Sequence, residues 1–248
     1  MKILNIVIHN SEYKEYERMY EILSPYYKNQ LGLVDTLFIE YSENSNSQTV
    51  FVGDKLRIKG VESMVPGLLW KTLDALLFLS DSLDSYDFIV RSNVSTLINF
   101  QRLKSFIDQN PGVNYVGGQI EVINWLDPMS GITNNKWWGT PFAQGTLIGL
   151  SLGLCKLILN MRHKLHFELV DDVAIGVFMH EYLKEELLYQ VPISQFVLLG
   201  NSILGIQNIM QIEELSSPIA WRNKSVDRSI DIENMMNIAL IQNLKRLK

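Results

Sequence analysis

The sequence predicts an α/β protein whose central, mostly parallel sheet is flanked by helices, and three observations carry that prediction. Short apolar runs (ILNIVI at 3–8, DTLFIEY at 35–41, FIV at 88–90) alternate with stretches of helical periodicity, the pattern of strands joined by crossover helices. Two of these runs end abruptly in polar residues, His9-Asn10 and Arg91-Ser92-Asn93. Polar groups at the carboxyl ends of strands face the crevice where open α/β sheets bind ligands. Finally, 248 residues with 47% apolar and 20% charged side chains suit one core, since a chain of this size buries ~70–75% of the surface its unfolded form exposes. A single domain over 1–248 is expected, with 225–248 a C-terminal helical extension.

Taken in order, Ile3 to Ile8 reads as a central buried strand. A first helix follows, with Ser11 as N-cap, Tyr13, Tyr16, Met19, Tyr20 and Leu23 on one side, and Pro25 as its stop. Asp35 to Tyr41 is a second strand, 42–49 a polar loop, and 50–59 a hairpin of VFV and LRI around Gly53-Asp54. Pro66 opens a buried helix bearing Leu69, Leu73, Leu76 and Leu77. Lys71 interrupts that helix: it either snorkels out of the edge or turns toward an anionic ligand.

After the strand ending at Arg91-Ser92-Asn93, a helix spans 99–110 and stops at Pro111-Gly112. Tyr115 to Gln119 is a strand leading into a long irregular region, 121–143, with Trp125, Trp137 and Trp138. Loops of that length are usually functional, and the indoles either line a sugar site or pin the loop. Gln144 to Ser151 returns to a strand, 152–165 is helical, and Asp171-Asp172-Val173 opens a helix running to Leu183. The tail, from WRNKSVDR, ends in an amphipathic helix over 230–247.

A net charge of −5 offers no general attraction to nucleic acid or anionic membrane. The single Cys155, on a helical pattern, excludes an internal disulfide framework, fits a reducing compartment and reads as a buried inert thiol. No apolar run has the length of a membrane span or a signal peptide, so a soluble cytoplasmic protein is expected. The four histidines show no metal-ligand spacing, and Gly-rich phosphate loops and a G-x-S-x-G elbow are missing.

Four segments stand in a telling order: PGLLWKT (66–72), YDFIVRSNV (86–94), PFAQG with LIGLS (141–151), and VDDVAIG (170–176). Together they resemble the fringe and β1,3-galactosyltransferase group of GT-A glycosyltransferases, over roughly residues 55–185. That group carries a similar Lys-bearing helix, a strand ending in an acidic triplet, a turn before a strand, and an acidic helix start. The resemblance implies a GT-A-like fold, a nucleotide-sugar donor (UDP-sugar favoured) and transfer of its sugar, with inversion, to an acceptor hydroxyl on a glycan or glycoconjugate. It places Asp172 as general base beside Asp171, since a carboxylate near the acceptor hydroxyl can take its proton. Helix capping by the same pair is the structural alternative.

The sequence departs from the group at the triplet, where Arg91-Ser92-Asn93 replaces carboxylates that hold a divalent metal. Asn offers one neutral oxygen, a poor ligand for a hard cation, whereas a guanidinium can itself neutralise a diphosphate. Donor binding without a required metal follows as an expectation, with Mn or Mg possible and not favoured. His9, Lys71, Arg91, Ser92, Asn93, Arg222, Lys224 and Arg228 are the candidate donor-binding residues, the last three if the tail folds over the site as a lid. Trp137, Trp138, Gln144 and Gly145 are the candidate acceptor side. The competing function is a relative that has lost catalysis with its acidic triplet and binds a glycan or a partner protein.

Overall fold

Strand β1 (Ile3–Ile8) alternates Ile3, Asn5 and Val7 on one face with Leu4, Ile6 and Ile8 on the other, and both sets lie inside the protein. A strand apolar on both faces needs helices on both sides, and the computed structural model has them. It describes residues 1–30, 32–42, 49–184 and 187–246, so most of the polar loop expected at 42–49, and Leu247 of the expected last helix, lie outside the described residues.

Helix α1 (Lys14–Lys28) starts at Tyr13 rather than at a Ser11 cap. An Asn10 side-chain turn, its Oδ1 accepting from the Glu12 amide, precedes the helix in place of a Ser11 cap. Pro25 lies inside α1 and does not end it. Tyr26 and Tyr27, just beyond it, are fully buried, and their hydroxyls reach the carbonyls of Ile98 and Thr96. Burying two aromatic rings outweighs the hydrogen bond that the proline removes.

Strand β2 (Val34–Ser42) and the hairpin β3 (Val50–Val52) and β4 (Lys55–Lys59) are as the alternation predicts, with Gly53 at φ +65° in the turn. Helix α2 (Gly67–Phe78) buries Leu69, Leu73 and Leu76. Strand β5 (Phe88–Asn93) pairs with β1 in parallel, a short strand β6 (Thr96–Ile98) follows, and Asn99 caps α3 (Phe100–Gln109).

Next come β7 (Tyr115–Gly117), β8 (Ile120–Val122) and β9 (Pro141–Ala143). The region expected to be irregular is thus closed at its base by the antiparallel pair β8–β9. Strand β10 (Leu147–Ser151), helix α4 (Leu152–Asn160) and helix α5 (Asp171–Tyr182) complete the predicted part. The remainder, β11 (Leu188–Gln190), β12 (Phe196–Leu199), α6 (Ile206–Ser216), β13 (Ala220–Asn223) and α7 (Arg228–Arg246), carries more structure than a helical extension.

The main sheet has the order β11-β7-β10-β5-β1-β2-β4-β3, with β10 and β3 antiparallel to their neighbours. Helices α2, α4 and α5 cover one face, and α1, α3, α6 and α7 the other. A second sheet, β12-β13-β6, stands beside the carboxyl end of β5. The WRNK segment, read as part of a lid, is therefore the central strand of this sheet, and α7 buries Met235, Ile238 and Ile241 beside α1. No helix among the described residues is long and apolar enough to cross a membrane.

Helix α5 rests on β9 at Gly176. A Cβ there would strike the Phe142 side chain and stand 3.0 Å from the Phe142 Cα, so backbone has to move. Gly176→Ala is expected to cost about 2–3 kcal/mol in urea unfolding, the overpacking range. A loss below 0.5 kcal/mol would show that α5 can shift freely.

Candidate active site

Strands β1 and β5 run in parallel and stop together, at His9 and Asn93, in register Ile8 with Asn93. Their carboxyl ends open into two cavities that share Met64, Leu68, Asn93 and Arg222 as lining. One, of about 550 Å³, is bounded by His9, Asn10, Tyr13, Tyr16 and Arg228. The other, of about 640 Å³, is bounded by Gln119, Glu121, Trp125, Gln144, Asp171, Asp172 and Lys224.

Strand alternation splits the Arg-Ser-Asn triplet. Arg91 and Asn93 face the cleft side, where Arg91 Nη1 donates to Asn93 Oδ1 at 2.9 Å. Ser92 is on the opposite face, fully buried, its hydroxyl 3.0 Å from Asn5 Oδ1, which corrects the expectation that it touches the donor. Arg91 is also not a free cation. It is 4% exposed and its Nη2 is 2.7 Å from Asp171 Oδ2, while Nη1 donates to the Gly145 carbonyl. Asp171 is completely buried and also accepts from the Thr72 hydroxyl at 3.4 Å.

Asp172, one residue on, points the other way. Its Oδ2 accepts from the Gly145 amide at 2.7 Å and its Oδ1 from the Val173 amide at 2.9 Å, and the residue lines the second cavity. Burial, and then the neighbouring Asp171 charge, push the Asp172 carboxyl up to about 6, with Arg91 and the two amides opposing. Asp171 and Asp172 both lie in the first turn of α5, with Val170 at the N-cap position and no side-chain cap from it, and Asp172 satisfies the first-turn amide of Val173 while still lining the cavity. Gly145 has no room for a side chain: a Cβ would stand 2.5 Å from Arg91 Nη1 and 3.1 Å from Asp172 Oδ2. Its place is to link the arginine to the acid through its peptide groups, a role the sequence does not signal.

Lys71 is buried rather than snorkelling, and it is already engaged. Its ammonium lies 2.6 Å from Glu62 Oε2 and 3.0 Å from the His9 carbonyl. Burial lowers its pKa, with Glu62 resisting. His9 bonds Glu40 through Nδ1 at 2.9 Å, and its buried Nε2 makes no hydrogen bond of good geometry but lies 3.4 Å from Glu17 Oε2. Glu40 also accepts from Arg57 at 2.7 Å, and although burial opposes it, these two partners hold its carboxyl down to about 2.

The acceptor-side tryptophans are placed differently from the expectation. Trp137 is a core residue, edge-on to His166, and Trp138, half exposed, does not line the cleft. Trp125, tilted against Phe142, is the indole that does. Gln144 lines the same wall and donates to Glu121. Arg222 projects from β13, Lys224 from the residue just after it, and Arg228 from the start of α7, where it pairs with Asp231 at 2.6 Å.

A divalent cation at the strand end would find one amide oxygen, from Asn93, and a carboxylate already held by Arg91. That donor set does not fit a hard cation. Among the described residues, no three His, Cys, Asp or Glu side chains gather to hold a metal.

No family model and no curated protein sequence matches the chain. Solved structures do. A glycosyltransferase involved in glycosylation of the major capsid of PBCV-1 aligns over 95% of this chain and 98% of its own, with a TM-score of 0.51 at 10% identity. A Drosophila beta-1,4-galactosyltransferase 7 mutant, solved with manganese, UDP-Gal and xylobiose, aligns over 77% of this chain and 65% of its own, at 11% identity and a TM-score of 0.42. The glycosyltransferase GlyE of Streptococcus pneumoniae TIGR4 aligns over 100% and 64%, at 11% identity and 0.45. The mixed sheet flanked by helices, with its cleft at the carboxyl ends of β1 and β5, is the GT-A glycosyltransferase fold.

Proposed function

We propose that the protein is a glycosyltransferase that moves a sugar from a nucleoside-diphosphate sugar to an acceptor hydroxyl. The observation that carries this is the pairing, on one cleft, of a cavity of about 550 Å³ at the end of β1 with a second cavity lined by an acid raised to about 6. The nucleoside lies in the His9 and Tyr16 cavity, and the acceptor lies in the other, against Trp125, Gln144 and Glu121. Asp172 is the general base. A carboxylate titrating near 6 is ionised at neutral pH, yet more basic than an ordinary one, which favours taking the acceptor proton as it attacks the anomeric carbon. Inversion follows from a single displacement of this kind. The motif order continues to favour a fringe-like grouping and a UDP-sugar.

The reaction needs no divalent metal in this reading, because the strand end offers a cation only the Asn93 amide oxygen and a carboxylate already paired with Arg91. Turnover of nucleotide sugars, measured as nucleoside diphosphate released with candidate glycan acceptors, tests both points. Rates in EDTA are expected within twofold of those in Mn or Mg. Loss of more than 90% of the rate in EDTA, restored by metal, would refute metal-free donor binding.

The Arg91–Asp171 pair also favours a second reading, since it ties one of the two acids to a structural role. A non-catalytic module would bind glycans or a partner protein while showing no thermal shift with any nucleoside diphosphate. An occupied donor site at 100 times its dissociation constant adds about 2.7 kcal/mol of stability.

A further inference from the structure

A nucleoside diphosphate sugar laid through this cleft has its nucleoside in one cavity and its sugar in the other, so its diphosphate has to cross the place where the two meet. The basic residue shared by both linings is Arg91's neighbour in space from the other sheet, Arg222. We propose that the diphosphate is held by Arg222, flanked by Lys224 and Arg228, and not by the triplet on β5. The inference rests on the donor reading above and names the residues that carry its charge.

Four observations point this way. First, β13 aligns Arg222 with Thr96 across the second sheet, directly beyond the end of β5, and the next peptide turns Lys224 into the acceptor-side cavity. Arg228, at the start of α7, lines the nucleoside-side cavity, so three cations follow the path of the ligand. Second, Arg222 has a hydroxyl neighbour, Ser95, but among the described residues no carboxylate within ion-pair distance. Its Nε is buried with no hydrogen-bond partner. Third, burial and then the Arg228 charge push the Arg222 guanidinium down to about 10, with Asp231 resisting; a bound anion relieves both penalties. Fourth, Arg91 is taken by Asp171 and Lys71 by Glu62, and Arg228 is paired with Asp231, which leaves Arg222 and Lys224 as the cleft cations with no ion pair among the described residues. Of the acids lining the cleft, Asp171, Asp172, Glu121 and Asp127 lie in the second cavity, and Glu62, in the first with Arg228, is paired with Lys71.

A guanidinium suits a pair of phosphate oxygens, and that of Arg222 lines both cavities. The charge a metal would bring from the strand end is thereby supplied from β13 and α7, the part of the chain outside the resemblance to the galactosyltransferase group.

Calorimetric titration in EDTA tests this, with uridine and guanosine as nucleosides, monophosphates and diphosphates, and with inorganic pyrophosphate. The wild type is expected to bind a diphosphate far better than its nucleoside. Arg222→Gln should weaken the diphosphate on the order of 10- to 100-fold while changing the nucleoside less than threefold, with partial recovery in Arg222→Lys. Lys224→Gln, at an exposed position whose replacement leaves the fold intact, should weaken the diphosphate severalfold and reduce its salt dependence. Unchanged diphosphate affinity in both glutamine variants would overturn the proposal and leave the transferase reading standing. Arg222-dependent binding of pyrophosphate without binding of any nucleotide would keep the anion site and remove the nucleotide-sugar reading. No binding of any phosphate probe to the wild type would overturn both.

Discussion

Arg91→Met is expected to lower the free energy of unfolding by about 3–5 kcal/mol, because it leaves a buried carboxylate without its counter-ion. Asp171 is fully buried, and its strongest partner is the Arg91 guanidinium 2.7 Å away, the Thr72 hydroxyl at 3.4 Å being a weak substitute. The same guanidinium also satisfies the Gly145 carbonyl, so a second buried acceptor is stranded. The double variant Arg91→Met, Asp171→Asn removes the unpaired charge and should recover at least half of the loss. Urea unfolding of the two variants and the wild type, at pH 7.5, measures both quantities. A loss below 1 kcal/mol for Arg91→Met would mean that the guanidinium is solvated and open to ligand, and would return it to the diphosphate.

Asp172→Asn is expected to reduce transfer by about 10²- to 10⁴-fold, the range for removing a general base. It should do so without raising the donor dissociation constant, since the nucleotide lies in the neighbouring cavity. In the wild type, the rate at saturating donor should fall tenfold per pH unit below about 6, where Asp172 takes up its proton. Stability should move oppositely. The folded value of about 6 lies above the ~3.9 of an unfolded aspartate, so stability falls as pH rises from about 4 to 6, and the full cost is present above that range. Asp172→Asn, which cannot ionise, should therefore be ~1–3 kcal/mol more stable than the wild type at pH 7.5 and level with it at pH 4. The lower end is favoured, because Asn keeps one acceptor oxygen for the Gly145 and Val173 amides. Undiminished transfer by this variant would sink the base assignment.

The sequence by itself determined the order of main-sheet strands and helices from Ile3 to Leu183, and not the short strands β6, β8 and β9. Its information is local: β-branched runs for β1, β2 and β5, leucine spacing for α2, Gly53 for the hairpin, and an acidic first turn for α5. It also singled out the positions that converge on the cleft, Arg91, Asn93, Gln144, Asp171, Asp172, Arg222, Lys224 and Arg228. It read less well beyond Leu183, because strands of three or four residues such as β11 and β13 are too short to show a period.

Only the tertiary structure decided which charges are free. In one dimension Arg91, Lys71 and Arg222 are equivalent cations next to apolar runs. In three, an aspartate from α5 is brought against the first and a glutamate from the chain before α2 against the second, while no carboxylate of the described residues reaches the third. Pairing across tens of residues has no periodic trace in the sequence. The same holds for the tryptophans: the β8–β9 closure turns Trp137 into the core and leaves Trp125 at the cleft, a choice made by packing and not by residue type. Ser92 differs from its neighbours for a simpler reason, that successive strand residues point to opposite faces, so of a polar triplet only the first and third can face one ligand.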